Sequence, residues 1–89
     1  MQLSVQLSVY PLGQADLTPA IEAVWRALQQ HGLTYKVGPM STLVVGDDVQ
    51  VFAALHNAFI AAVELGGTVM VAAISNACIK GSDGGGAAT

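Results

Sequence analysis

The chain has 89 residues, three cationic and six acidic side chains, and a formal net charge of −3. That length suits one domain. The three cations, Arg26, Lys36 and Lys80, are too scattered to neutralise a phosphate backbone, so nucleic acid is not an expected partner. Residues are 53% hydrophobic and only 10% charged, too little charge to clothe a small monomer, and large exposed apolar surface marks interaction sites.

Self-association is therefore expected. A membrane is the rival explanation, but the longest apolar stretch, Val49–Leu65, is interrupted by Gln50, His56, Asn57 and Glu64. It contains no unbroken run of the roughly 18 apolar residues that a spanning helix needs. The start has neither the basic residues nor the apolar block of a signal peptide, so the expectation is a cytoplasmic chain without membrane insertion. A lone Cys78 allows no internal disulfide and no cysteine-based zinc site.

Leu3–Tyr10 alternates strictly, with Leu3, Val5, Leu7 and Val9 on one side and Ser4, Gln6, Ser8 and Tyr10 on the other. Period two predicts a strand whose first face enters a core. The second face is polar yet uncharged, which hints at an interface or pocket. Pro11–Gln14 is a loop. Thr18-Pro19 begins a helix, threonine as cap and proline at the first helical position, with Ile21, Val24, Trp25 and Leu28 as its apolar stripe. His31-Gly32 ends it, glycine at the left-handed position, and His31 reads as a helix-end residue.

Leu33–Val37 and Met40–Val45 are two strands separated by Gly38-Pro39, close enough to pair as a hairpin. Gly46 breaks the second, and Asp47 or Asp48 caps the next helix. Adjacent carboxylates invite a metal reading, but a hard cation wants six or more oxygens and no third ligand stands near. Carboxylates at a helix start instead satisfy free amides and favour the helix dipole. In the helix from Val49 to Leu65, Phe52, Leu55, Phe59, Ala62 and Val63 are expected to pack, and Ala53, Ala54, Ala58 and Ala61 to form a slim remainder. Gly66-Gly67 stops it. Thr68–Ile79 is almost continuously apolar, which predicts a central strand buried on both faces.

Residues 1–80 thus form one domain, and 81–89, rich in glycine and alanine, form a flexible tail. The order βαββαβ with a central hairpin is that of an α+β ferredoxin-like sandwich, a four-stranded antiparallel sheet with two helices on one face. The other face has no covering layer within the chain. Pairing through this open face, as a homodimer or homotetramer, would cover it.

No nucleophile motif, phosphate loop, useful carboxylate pair or Cys/His cluster is present in the sequence, so no catalytic or metal-binding residue is assigned and the protein is expected not to be an enzyme. Three segments carry a resemblance instead: Ser8-Val9-Tyr10-Pro11-Leu12-Gly13, Pro39-Met40-Ser41-Thr42-Leu43-Val44-Val45-Gly46-Asp47 and Val51-Phe52. In register over about Leu3–Cys78, they resemble the small thiamine-binding, or hydroxymethylpyrimidine-binding, proteins, formerly a domain of unknown function. The chain departs from that pattern in having Val44, Val45, Val71 and Ala73 where members often carry charge.

The resemblance implies a ferredoxin-like fold and binding of the aminopyrimidine of thiamine or its precursor. It also implies assembly from separate copies, because this chain has one domain where some members fuse two. No cofactor is implied beyond thiamine or hydroxymethylpyrimidine as ligand. A neutral aminopyrimidine wants hydroxyls, amides and a surface to stack on. Ser8, Tyr10, Ser41, Thr42, Ser75 and Asn76 are candidates for the first, and Tyr10, Tyr35 and Met40 for the second. Ser8 and Tyr10 share one strand face; Ser41 and Thr42 point oppositely, and alternation does not fix which of them joins Ser8. The leading expectation is an oligomeric carrier or sensor of thiamine or its pyrimidine. The alternatives are a structural or regulatory self-assembly module without a ligand, and a small ferredoxin-like enzyme, which would need a titratable residue such as His31 or His56 in its cleft.

Overall fold

The structure, a computed structural model, describes residues 1–38 and 41–77. Met40, Cys78 and the segment 81–89 lie outside the described residues. The elements are β1 (Gln2–Pro11), α1 (Thr18–Gln30), β2 (Thr34–Val37), β3 (Thr42–Asp47), α2 (Asp48–Val63) and β4 (Thr68–Ser75). The strands form one sheet in the order β2-β3-β1-β4, every pair antiparallel. This is the expected ferredoxin-like βαββαβ arrangement.

The alternation in β1 builds the core. Leu3, Val5 and Leu7 are buried together with Val44 of β3, Val24 and Leu28 of α1, and Val51, Ala54, Ala58 and Ala62 of α2. Both helices therefore cover the same face of the sheet. Ser4, Gln6, Ser8 and Tyr10 fall on the opposite pleat, where β1 pairing places them across from Ser75, Ala73, Val71 and Val69 of β4.

The helix ends follow local chemistry, with one shift. The N-cap position of α1 is Leu17, one residue ahead of the expected Thr18 and without a side-chain cap, and the Asp16 carboxylate accepts the Thr18 N–H at 3.0 Å just before it. At the other end Gly32, at φ +67°, donates its N–H to the Gln29 carbonyl at 3.0 Å, the left-handed stop that the sequence predicts. Asp47 accepts the Val49 N–H and caps α2.

Two expectations are overturned. First, α2 buries its alanines: Ala54, Ala58 and Ala62 are wholly inaccessible, whereas Phe52 is 54% and Phe59 37% exposed. Val63 is also exposed, and Leu55 is half-buried. The reason is close packing: α2 lies chiefly against α1, and helices approach closely only where the facing side chains are small. Second, β4 is an edge strand and mostly exposed, not central and buried. β1 takes the centre because it pairs on both sides, leaving the long apolar β4 with one neighbour.

Candidate functional site

β1 is longer than the strand beside it. Its pairing with β3 ends at Leu7↔Thr42, whereas its pairing with β4 continues to Pro11↔Thr68. From Ser8 onward, among the described residues, β1 has a strand neighbour on one side only. A gap opens there, and the chain surrounds it. Ile21, Val24 and Trp25 of α1 line it from the helix layer, and Val37, Gly38, Ser41 and Thr42 line it from the hairpin. With Leu7, Ser8 and Val9 these enclose a cleft of about 260 Å³. The Gly38 N–H donates to the Ser41 carbonyl at 2.8 Å and fixes the hairpin mouth beside it.

Among the described residues the lining has three hydroxyl-bearing residues, one tryptophan and no charged residue. Register settles the strand phase that alternation left open. Thr42, paired with Leu7, shares the helix-facing pleat with Val44, and Ser41 stands one residue outside the strand. Both nevertheless border the cleft, as does Ser8. Such a site suits a small, neutral, planar molecule. Hydroxyls donate or accept as required, the indole offers a stacking surface, and the unpaired edge of β1 adds backbone groups.

The other candidate residues lie elsewhere. Tyr10 is exposed on the open pleat. Tyr35 accepts a hydrogen bond from Gln29 Nε2 at 2.9 Å and packs on the core. Ser75 is paired with Ser4, toward the opposite end of β1 from the cleft, and its hydroxyl accepts the Ala77 N–H. Asn76 reaches back toward Met1. In the sequence Trp25 stands only as part of the helix stripe. The signal that marks it is its place at the margin of that stripe, where a large ring extends beyond the core.

Two other polar clusters are engaged in structure. His31 bridges the helices, its Nε2 2.8 Å from Asn57 Nδ2 and its Nδ1 3.3 Å from Gln50 Oε1. The Met1 amino group donates to Asp48 at 3.1 Å and to Asp47 at 3.2 Å. The hydrogen bonds to Asp48 and then Asp47 raise the amino pKa, and the same ammonium holds the Asp48 carboxyl below its usual range. Asp47 pairs with Gln2, so this cluster stands at the end of the sheet remote from the cleft.

The sequence profile of the thiamine-binding protein family matches residues 5–76. The chain belongs to this family. Among curated proteins nothing matches. Among solved structures it is similar to a Streptococcus pneumoniae protein, with 27% identity and a TM-score of 0.77 over 84% of this chain and 86% of that one. It is also similar to a domain of unknown function from Bacillus cereus, with 24% identity and a TM-score of 0.74 over 84% and 75% of the two chains. A Thermotoga maritima protein described as a candidate in thiamine biosynthesis or salvage shares 18% identity, with a TM-score of 0.75 over 92% and 97%. The fold is thus shared even where little sequence is. The matched span includes every described residue of the cleft lining. Among the described residues no helix is long and apolar enough to cross a membrane.

Proposed function

We propose that this protein binds thiamine, or its hydroxymethylpyrimidine moiety, without chemical conversion, as a carrier or sensor assembled from several copies. The observation that carries the reading is the uncharged cleft, with Ser8, Ser41 and Thr42 beside Trp25, in a chain of the thiamine-binding family. Its 260 Å³ is below the roughly 300–1,000 Å³ of clefts for drug-sized ligands, and suits a single substituted ring. Among the described residues no carboxylate lines it to pair with a thiazolium, so the aminopyrimidine is the end that enters. Copies meet through the open pleat of the sheet. There Leu43 and Val45 of β3 and Val69, Val71 and Ala73 of β4 flank the uncharged polar row of β1.

Calorimetric titration with thiamine and with hydroxymethylpyrimidine tests the ligand. Both should give a saturable heat. Ser41→Ala combined with Thr42→Val should weaken binding about tenfold or more, at about 1 kcal/mol per hydrogen bond. No heat from either compound at millimolar concentration refutes the proposal. The second reading, an assembly module without a small ligand, is favoured by one observation, the apolar side chains exposed on α2. It predicts that the same double variant behaves as wild type in every assay while charge placed on the sheet face dissociates the oligomer.

A further inference from the structure

The hydrogen-bonding phase of β1 isolates one backbone pair in the cleft. The Gly38 N–H donates to the Ser41 carbonyl at 2.8 Å, so these two form a hydrogen-bonded pair one step beyond the β2–β3 register. Bonded and non-bonded pairs alternate along an antiparallel ladder. Leu43 and Val45 therefore bond to β2, and Thr42, Val44 and Gly46 turn their main-chain groups toward β1. Their partners Leu7, Val5 and Leu3 are thus the β1 residues that bond to β3. The other edge agrees. The Leu12 N–H donates to the Gly67 carbonyl at 2.8 Å, continuing the series Ser4, Gln6, Ser8 and Tyr10 that bonds to β4.

Val9 comes next after Leu7 on the β3 side, and it lines the cleft. Its N–H and C=O point along the sheet into the gap, where among the described residues no strand partner meets them. Pro11, the following residue of that phase, has no N–H to offer. The free edge is therefore a single donor beside a single acceptor, roughly 7 Å past the Leu7–Thr42 pair. An added peptide strand would lack a donor at its next position. A single small ring needs no second one.

We propose that the main chain of Val9 selects the ligand: its N–H donates to a ring nitrogen, and its C=O accepts the exocyclic amine on the adjacent carbon. This rests on the reading of the cleft as an aminopyrimidine site. An aminopyrimidine presents an acceptor and a donor side by side on one edge, as an opposing strand residue does with its own C=O and N–H. The ring then lies in the sheet at the spacing of a neighbouring strand, about 4.8 Å from β1, and Trp25 faces it from the helix layer. The hydroxyls of Ser8, Ser41 and Thr42 rotate to donate or accept, so they tolerate many polar substituents. A backbone N–H and C=O have fixed roles. Discrimination therefore resides at Val9, because a ring without the amine leaves its carbonyl buried and unpaired.

Amide hydrogen exchange of the full chain, followed residue by residue by nuclear magnetic resonance, tests this. In the free protein the Val5 and Leu7 amides should exchange slowly and the Val9 amide about tenfold faster or more. Saturating hydroxymethylpyrimidine should slow Val9 by a similar factor, whereas Tyr10, already bonded to β4, should barely change. In calorimetry, replacing the exocyclic amine by hydrogen or by a dimethylamino group should weaken binding about tenfold or more. Saturable heat without protection of Val9, or equal affinity for the analogue without the amine, overturns the role of Val9 and leaves the cleft as a ligand site. A Val9 amide as slow as that of Leu7 in the free protein overturns it too, with no ligand needed. No heat from hydroxymethylpyrimidine removes the ligand and the role of Val9 together.

Discussion

The two βαβ halves of this sheet sandwich use their helices in opposite ways. α1 puts its larger apolar side chains inward, with Val24 and Leu28 buried, and keeps Glu22, Arg26, Gln29 and Gln30 in water. Its one oversized residue, Trp25, lines a cleft. α2 puts its smallest side chains inward and its phenylalanines outward. Burial within the chain is thus complete around α1 and unfinished around α2. One half of the fold makes a cavity, and the other leaves a surface.

The sharpest break of that contrast is a pair of core substitutions. Leu28→Ala, which empties a wholly buried site on α1, should cost about 3 kcal/mol in chemical denaturation. Ala58→Leu, which overfills a wholly buried site on α2, should cost about 1–3 kcal/mol. Phe52→Ser should change the stability of the dissociated chain by less than about 0.5 kcal/mol, because that ring contributes little to its own chain's core. A Phe52→Ser cost as large as that of Leu28→Ala would erase the distinction between the helices.

The ends of the helices differ less. Gly32→Ala, at φ +67° with nothing near the added methyl, should cost about 1 kcal/mol from backbone strain alone. Asp47→Ala should cost about 1 kcal/mol by removing the α2 cap, measurable as a lower midpoint in urea. The smallest effect is that of pH. The Asp48 carboxyl is held low, so its contribution is present above the ordinary carboxylate range and fades as pH falls through the lowered pKa. The Met1 amino group is held high, so its contribution is present below the ordinary amino range and fades as pH rises through the raised pKa. Stability should therefore plateau between those limits, and Asp48→Asn should flatten the acid slope.

Where one local rule decides, the sequence was a sufficient guide. Strict alternation placed Leu3, Val5 and Leu7 inside, and Gly32 stopped its helix, because each depends on neighbours within a few residues. α2 is apolar nearly all round, so periodicity does not distinguish its inner from its outer stripe. What decides is how near α1 comes, and Ala54, Ala58 and Ala62 answer that through volume. A continuous apolar strand such as β4 reads as covered on both faces, whereas its position at the edge follows from the pairing of all four strands. The cleft was half legible. Its hydroxyls, Ser8, Ser41 and Thr42, stood out as uncharged polar groups around strand ends. Register removed Ser75, which is far along the sheet from them, and only the assembled helix layer brings Trp25 to their side.

Trp25 makes the central claim directly measurable, because it is the sole tryptophan of the chain and it lines the cleft. Its fluorescence, followed during addition of hydroxymethylpyrimidine and of thiamine, should be quenched to saturation. Ser41→Ala with Thr42→Val should move the midpoint to about tenfold higher ligand. Emission that changes only in proportion to added ligand, with the same slope in wild type and double variant, would contradict binding in this cleft.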